Sequence, residues 1–268
     1  MQRWIVLVGV AALVATAGVQ ARDDKAFVLA STTSTQSSGL FDHLIPKFEA
    51  STGIDVRVVA VGTGQALTLG RRGDASALLV HAPAAEKQFM AEGHGVDRVA
   101  VMHNDFVVVG PADDPAGVAG AGTASEAFSR IAESGAPFAS RGDDSGTHKK
   151  ERAIWEAAAD DPGGGWYREL GKGMGATLNT AAAMDAYVLT DRGTWISFNN
   201  RQNLAIVHEG DEMLFNPYHS MLVNPERHDG VRHGLARRWQ QWLVSPEGQA
   251  LIADHRLKGQ QLFHPDAQ

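Results

Sequence analysis

Five hydroxyl residues in a row, Ser31-Thr32-Thr33-Ser34-Thr35, follow a short apolar run. A second cluster follows another such run: Ser140-Arg141-Gly142-Asp143-Asp144-Ser145-Gly146-Thr147-His148. Hydroxyls ahead of a helix satisfy its unpaired N–H groups, and both can donate to an oxyanion. In the second cluster Arg141 adds a rigid fork of donors and a permanent charge. With Ser145 and Thr147 it can grip a tetrahedral oxyanion from two sides, while Asp143 holds the guanidinium in place. Two further stretches suit the same chemistry. Val61-Gly62-Thr63-Gly64-Gln65 offers the Thr63 hydroxyl and, at Gly64, a backbone open to close approach. Asn179-Thr180-Ala181-Ala182 is expected to open a helix at Thr180, leaving the Ala181 amide free for a ligand. Taken singly, each hydroxyl is explained as well by ordinary N-capping. The run of five and the arginine-led loop are what point to an anion.

Other chemistries fit these residues less well. No Gly-Lys-Ser/Thr follows Gly64, so the glycine turn is not a nucleotide P-loop. Asp144-Ser145-Gly146-Thr147 resembles an aspartic-protease loop, but it occurs once and a carboxylate dyad needs two. Ser145 with His148, or His81, would serve a secreted hydrolase, yet there is no Gly-x-Ser-x-Gly elbow. His228 and His233 are poorly spaced for a shared metal ion on a helix, and no metal site is expected. The absence of cysteine from the 268 residues excludes disulfides, thiolate catalysis and zinc–cysteine sites. A net charge of −7 argues against a nucleic-acid surface.

The elements that must position these loops read as strand and helix in alternation. Strands are expected over 26–30, 54–61, 77–80, 106–109, 137–140, 194–198, 204–207 and 218–223. Helices are expected over 40–50, 65–71, 84–92, 124–133, 147–158, 180–189, 232–244 and 246–254. Such an order implies an α/β protein with mostly parallel sheets covered on both faces. Residues 1–21 have a basic start, an apolar run and small residues before the end, the pattern of a cleaved signal peptide. Its loss removes Arg3 and no acid, giving −7 − 1 = −8 for an exported mature chain. The remainder divides into a first lobe (22–108), a second lobe (109–214) and a return segment to the first (215–268). The crossings are expected at 108–111 and 215–218, with a ligand cleft between the lobes.

Four segments together carry a family resemblance: ASTTSTQSSGL (30–40), AVGTGQALTL (60–69), LLVHAPAAE (78–86) with HNDFVVVG (103–110), and SRGDDSGTHKKE (140–151). They resemble the tungstate-binding proteins of bacterial ABC transporters, the TupA type, among the type II periplasmic binding proteins. The family opens with Thr-Thr-Thr-Ser where this chain has Ser31-Thr32-Thr33-Ser34. The spacing from Arg141 to Thr147 is shared with phosphate-binding proteins of the same fold. The resemblance implies a monomeric periplasmic protein of two lobes that captures tungstate, or molybdate, and delivers it to a membrane permease. It implies no enzyme activity and no cofactor, the tungstate oxyanion being the ligand. By the same resemblance the contacts come from Thr32, Thr33, Ser34, Thr63, the Gly64 amide, Arg141, Thr147, Thr180 and the Ala181 amide, with Asp143 and Ser145 behind them. Phosphate or sulfate remains the alternative ligand. Tungstate, molybdate and sulfate carry no proton near neutral pH, so a cleft that offers only donors suits them better than hydrogen phosphate.

Overall fold

The computed structural model describes residues 25–267; the expected leader lies outside them. β1 (Ala26–Thr32) leads through the one-turn α1 (Thr33–Ser37) and α2 (Leu40–Thr52) to β2 (Asp55–Val61), and α3 (Thr63–Arg72) leads on to β3 (Ala77–Val80) and α4 (Pro83–Ala91). The long β4 (Gly95–Pro111) carries the chain into α5 (Ala124–Ser134), β5 (Phe138–Ser140), α6 (Gly146–Ala157), β6 (Tyr167–Glu169), α7 (Met174–Met184), β7 (Val188–Asp191), α8 (Arg192–Ser197) and β8 (Leu204–His208). β9 (Phe215–Val223), α9 (His233–Leu243), α10 (Pro246–Asp254) and the short β10 (Arg256–Leu257), β11 (Gln260–Gln261) and β12 (His264–Pro265) complete it.

β1 is buried at nearly every position and pairs in parallel with both β2 and β3. A strand covered on both faces needs such a continuous apolar run. α2 presents Leu40, Phe41, Leu44 and Phe48, spaced for one helix face, to the core that also holds Trp239 and Trp242 of α9. Each such side chain contributes roughly 1.5–3 kcal/mol by leaving water. β4 and β9 run antiparallel to their neighbours, so the sheet holding β1, β2 and β3 is mixed, and the pairs that β4 makes with β7 and β8 are antiparallel, not parallel as expected.

β4 joins two sheets. Up to Asp105 it pairs with β9, and from Phe106 it pairs with β7 and then β8. The changeover therefore falls before Val108, because Val108 and Val109 are already held by Leu189 and Val188 of β7. β5 is tied to the residues ahead of β7 by Tyr187 N–H to Pro137 O at 2.8 Å and Ala139 N–H to Tyr187 O at 2.8 Å. Of the four clusters of buried apolar side chains, two draw on residues 27–102 and 218–263 and two on 106–214. The molecule is thus a two-lobed α/β protein with the second lobe inserted into the first.

Two local expectations are corrected. Residues 194–198, with Thr-Trp-Ile at their head, form most of helix α8 and not a strand. Asp191 decides this: its Oδ1 accepts from Thr194 N at 2.8 Å and its Oδ2 from Thr194 Oγ1 at 2.6 Å, a helix cap that overrides β propensity. The helix expected at 180–189 starts earlier, at Met174, and ends at Met184. The segment 186–191 turns back as β7, its Val-Leu-Thr run buried on both faces.

Candidate functional site

The parallel register Thr32↔Val61 and Ser31↔Leu79 sets the carboxyl ends of β1, β2 and β3 level. The residues that follow them, at Thr33–Ser34, Gly62–Gly64 and His81–Ala82, therefore meet along one edge. In the second lobe β5, β6 and β7 end at Ser140, Glu169 and Asp191 and feed α6, α7 and α8. The two edges face each other across a cleft of about 1030 Å³, lined by junction residues from all six strand ends. Ligands bind at this end of the strands because helix N-termini gather there with unpaired N–H groups and partial positive charge.

On the first-lobe wall, Ser31 and Thr35 are buried and structural. Ser31 Oγ donates to Leu79 O at 2.6 Å, and Thr35 Oγ1 lies 2.7 Å from Thr32 Oγ1. Thr32, Thr33 and Ser34 line the cleft. Thr32 caps α1, its Oγ1 accepting from Thr35 N at 3.3 Å. Thr63 and Gly64 begin α3, whose cap residue Gly62 supplies no side-chain bond to the free N–H groups. Gly62 and Gly64 have room for a Cβ, so packing does not require glycine at either position. What their bareness leaves is an uncovered backbone at the cleft wall.

His81, at the end of β3, completes this wall. Its Nε2 lies 3.2 Å from Thr32 Oγ1 and 3.3 Å from Ser34 Oγ. Its Nδ1 lies 3.0 Å from Asn216 Oδ1, and Asn216 Nδ2 donates to Asn104 Oδ1 at 2.6 Å. Because Asn216 presents its oxygen, the imidazole carries its proton on Nδ1 and accepts at Nε2. The ring stacks on Tyr218 with centroids 4.6 Å apart. Burial holds the imidazole below its ordinary pKa, outweighing the Asn216 hydrogen bond and the Asp191 and Glu86 charges, so it is neutral at pH 7.

The second-lobe wall is built on the arginine loop. Arg141 Nε and Nη2 donate to Asp143 Oδ2 at 3.1 and 2.5 Å. Burial alone would raise the Asp143 carboxyl, but hydrogen bonds from Ser145 and Arg141 more than offset it and hold it below the usual range. Ser145 caps α6, its Oγ accepting from His148 N at 3.3 Å. Thr147, in the first turn of α6, is buried and lines the cleft. Lys149 reaches back to Asp144, with Nζ 2.6 Å from its carbonyl and 2.8 Å from Oδ2. The carboxylates of this wall are thus occupied by cations or amides, and Asp191 is taken up by Thr194. The lone pair of His81 Nε2 is an acceptor that an inventory of donors alone would miss.

Thr180 and Ala181 do not join the others. They lie in the second half of α7, where Thr180 Oγ1 donates to Ala176 O at 3.1 Å and Ala181 is packed inside. The helix reaches the cleft instead through Gly173, Met174 and Gly175, and its cap residue Gly173 has no side chain to cover the first N–H groups. Asn179-Thr180 carried the capping composition, whereas the true start is marked only by Gly-Lys-Gly-Met-Gly. His81, Asn104 and Asn216 were also missed as site residues. For His81 the readable signal was its place directly after the buried strand Leu-Leu-Val. Ser145 and His148 do not form a hydrolytic pair, because the His148 ring accepts from Asp144 N at 3.1 Å. Among the described residues no cluster of three potential metal ligands occurs.

Two α/β lobes that face each other across a cleft with donors on both walls define a binding protein for a small anion. The model of the PBP superfamily domain matches residues 15–247, and the chain belongs to that superfamily. Within it the chain belongs to the TupA type. It is 44% identical to the tungstate-binding protein TupA of Peptoclostridium acidaminophilum, over 90% of this chain and 85% of that one. The solved tungstate-binding protein TupA of Desulfovibrio alaskensis superposes with a TM-score of 0.85 at 45% identity, covering 91% of this chain and 99% of its own. The structure described as the tungstate ABC transporter from Geobacter sulfurreducens gives 0.77 at 48% identity, over 86% and 99%.

Proposed function

We propose that this protein captures tungstate, with molybdate as the competing ligand, and delivers it to the membrane permease of an ABC transporter. It works as a monomer outside the cytoplasm after removal of residues 1–21, without a cofactor and without covalent chemistry. The observation that carries this reading is the convergence of Arg141 and the N-termini of α3, α6 and α7 on one cleft. The names of the relatives supply the particular oxyanion. The direct contacts are Thr32, Thr33, Ser34, Thr63, the Gly64 amide, Arg141 and Thr147, joined by the amides of Met174 and Gly175 in place of Thr180 and Ala181. Asp143 and Ser145 hold Arg141 and α6 in position. An anion touching both walls favours their approach, since it binds the closed arrangement better than the open one. The lobes are proposed as 22–105, 106–214 and 215–268, the pairing of β4 moving the first boundary ahead of the expected 108, and they are joined through β4 and the start of β9.

A second reading has one observation in its favour. Ser34, His81 and Asn216 have the connectivity of a nucleophile, a base and its orienting group, at 3.3 and 3.0 Å. Thr32 competes for the same Nε2 at 3.2 Å, and the surrounding groups suit a stable anion better than an acyl intermediate. Calorimetric titration of the protein from Arg22 onward with tungstate, molybdate, sulfate and phosphate tests the first reading. Tungstate binding with phosphate and sulfate silent supports it. Silence for all four, with turnover of a nitrophenyl ester lost in Ser34→Ala, supports the hydrolase instead.

A further inference from the structure

His81 stands where the first-lobe hydroxyls, the start of β9 and the N-terminus of α6 come together. Its Nε2 faces the Thr32 and Ser34 hydroxyls of the first lobe, and its Nδ1 faces Asn216 at the start of β9. Its Cε1 lies 3.7 Å from where a Cβ on Gly146 would stand, at the N-terminus of α6 in the second lobe. Counting protons shows what a ligand would demand. In the free protein Thr32, Ser34 and Thr35 have one hydroxyl proton each, and His81 Nε2 consumes one of the first two. A tetrahedral dianion brings only acceptors. If Thr32 and Ser34 turn their protons to it, Nε2 is left as a lone pair in a wall of donors, with nothing to accept.

We propose that His81 is a ligand-binding residue that takes up one proton as a dianion enters the cleft, so that Nε2–H becomes a donor to the anion or to Thr32 Oγ1. This rests on the oxyanion reading above. The change turns His81 from a consumer of a hydroxyl proton into a supplier of one. Nδ1–H keeps its bond to Asn216 throughout, so the ring need not move. The groups facing it permit the switch. Thr32 and Ser34 are uncharged. Tyr218, stacked on the ring, is kept un-ionised by burial. From α4, Glu86 adds a negative charge already shared with Arg98 at 2.8 Å and His219 at 2.9 Å. From β7, Asp191 adds another. The α6 N-terminus faces the ring from the second lobe; in the free protein burial keeps the ring neutral, outweighing the Asn216 bond and the Asp191 and Glu86 charges. A bound dianion reverses the balance. Hydrogen phosphate differs, because its own O–H can donate to the neutral Nε2.

The test is titration of tungstate into the intact mature protein at pH 7 in buffers of different ionisation enthalpy, where the slope of heat against buffer enthalpy counts protons. The expected result is uptake of about one proton with tungstate, and affinity that falls toward tenfold per unit as pH rises above the ring's free value. In His81→Gln the uptake disappears and binding becomes flat with pH. In Asn216→Asp a carboxylate at Nδ1 charges the ring before the ligand arrives, so uptake falls although His81 is intact. Tight tungstate binding by the wild type with no proton exchange overturns the proposal and leaves the cleft reading standing. So does uptake that survives in folded His81→Gln. No binding of any of the four anions overturns both.

Discussion

Replacing Arg141 with alanine probes the cleft most directly. The guanidinium spends two of its five N–H donors on Asp143, through Nε and Nη2, which leaves three for a ligand. Its side chain is 19% exposed, so charge-assisted bonds made there are worth more than at an open surface but less than in a dry core. Truncating one side of a desolvated charge pair costs about 2–5 kcal/mol, and partial exposure places the loss at about 2–4 kcal/mol, roughly 30- to 1,000-fold in affinity. Part of that loss comes from Asp143, whose carboxylate would face the anion without its partner. The double variant Arg141→Ala/Asp143→Asn is therefore expected to bind more tightly than Arg141→Ala alone. The fold should hardly notice, because a partly exposed ion pair contributes no more than about 1 kcal/mol. Calorimetry with tungstate measures the affinities, and urea unfolding checks the fold. If Arg141→Ala binds within threefold of wild type, or if Asp143→Asn restores nothing in its background, the guanidinium is not the anion's counter-charge and the reasoning fails.

Thr180→Val removes a hydroxyl bonded within its own helix, so tungstate affinity should stay unchanged; a loss beyond tenfold would return this residue to the site. Arg98→Met leaves the fully buried Glu86 carboxylate without its guanidinium, and urea unfolding should show a loss of about 3–5 kcal/mol, partly recovered by Glu86→Gln in the same chain. Glu151, buried beneath the arginine loop and bonded to Tyr167 Oη at 2.7 Å, has its carboxyl pushed up by burial to about 7 from 4.5. Its raised value means that stability falls as pH rises from about 4.5 to about 7 and then levels off. Glu151→Gln should therefore gain up to about 3 kcal/mol at pH 8 and nothing below pH 4, and a gain independent of pH would refute this account.

The strands and helices of the first lobe were legible because their signals are local. β3 is an unbroken apolar run, and α2 repeats its large side chains at helical spacing. The arginine loop was legible for a chemical reason, since few other roles gather an arginine, two acids and two hydroxyls within seven residues. What stayed hidden depends on partners distant in sequence. β4 looked four residues long because its first half alternates with exposed residues, and only pairing with β9 declares it a strand. Residues 194–198 have strand-like composition, and their helix is set by one carboxylate, Asp191, at the preceding position. His81 gave no sign of its tautomer, which is fixed by Asn216, 135 residues away. The misplaced α7 start has a similar cause: composition marks where a helix can be capped, but not where the chain leaves β6.

A chain with net charge −7 can still hold an anion, and the arrangement of its acids says how. Within the cleft Asp143 is bound by Arg141, Asp144 by Lys149, and Asp191 by both donors of Thr194. Each carboxylate that could repel a ligand is instead orienting a donor or a helix start. The remaining acids act through solvent that screens charge within about 8–10 Å at physiological salt, so they bear on the rate of encounter more than on affinity. The donors act at hydrogen-bond distance, in a cleft where water is partly excluded and each interaction is correspondingly stronger. Under the proposal above, selection among tetrahedral anions turns on His81, whose Nε2 changes from acceptor to donor by taking up a proton. A permanent carboxylate acceptor would favour an anion that carries a proton, and a permanent donor would favour one that does not. His81 can be either, and whether the anion itself carries a proton sets the direction in which it drives the ring.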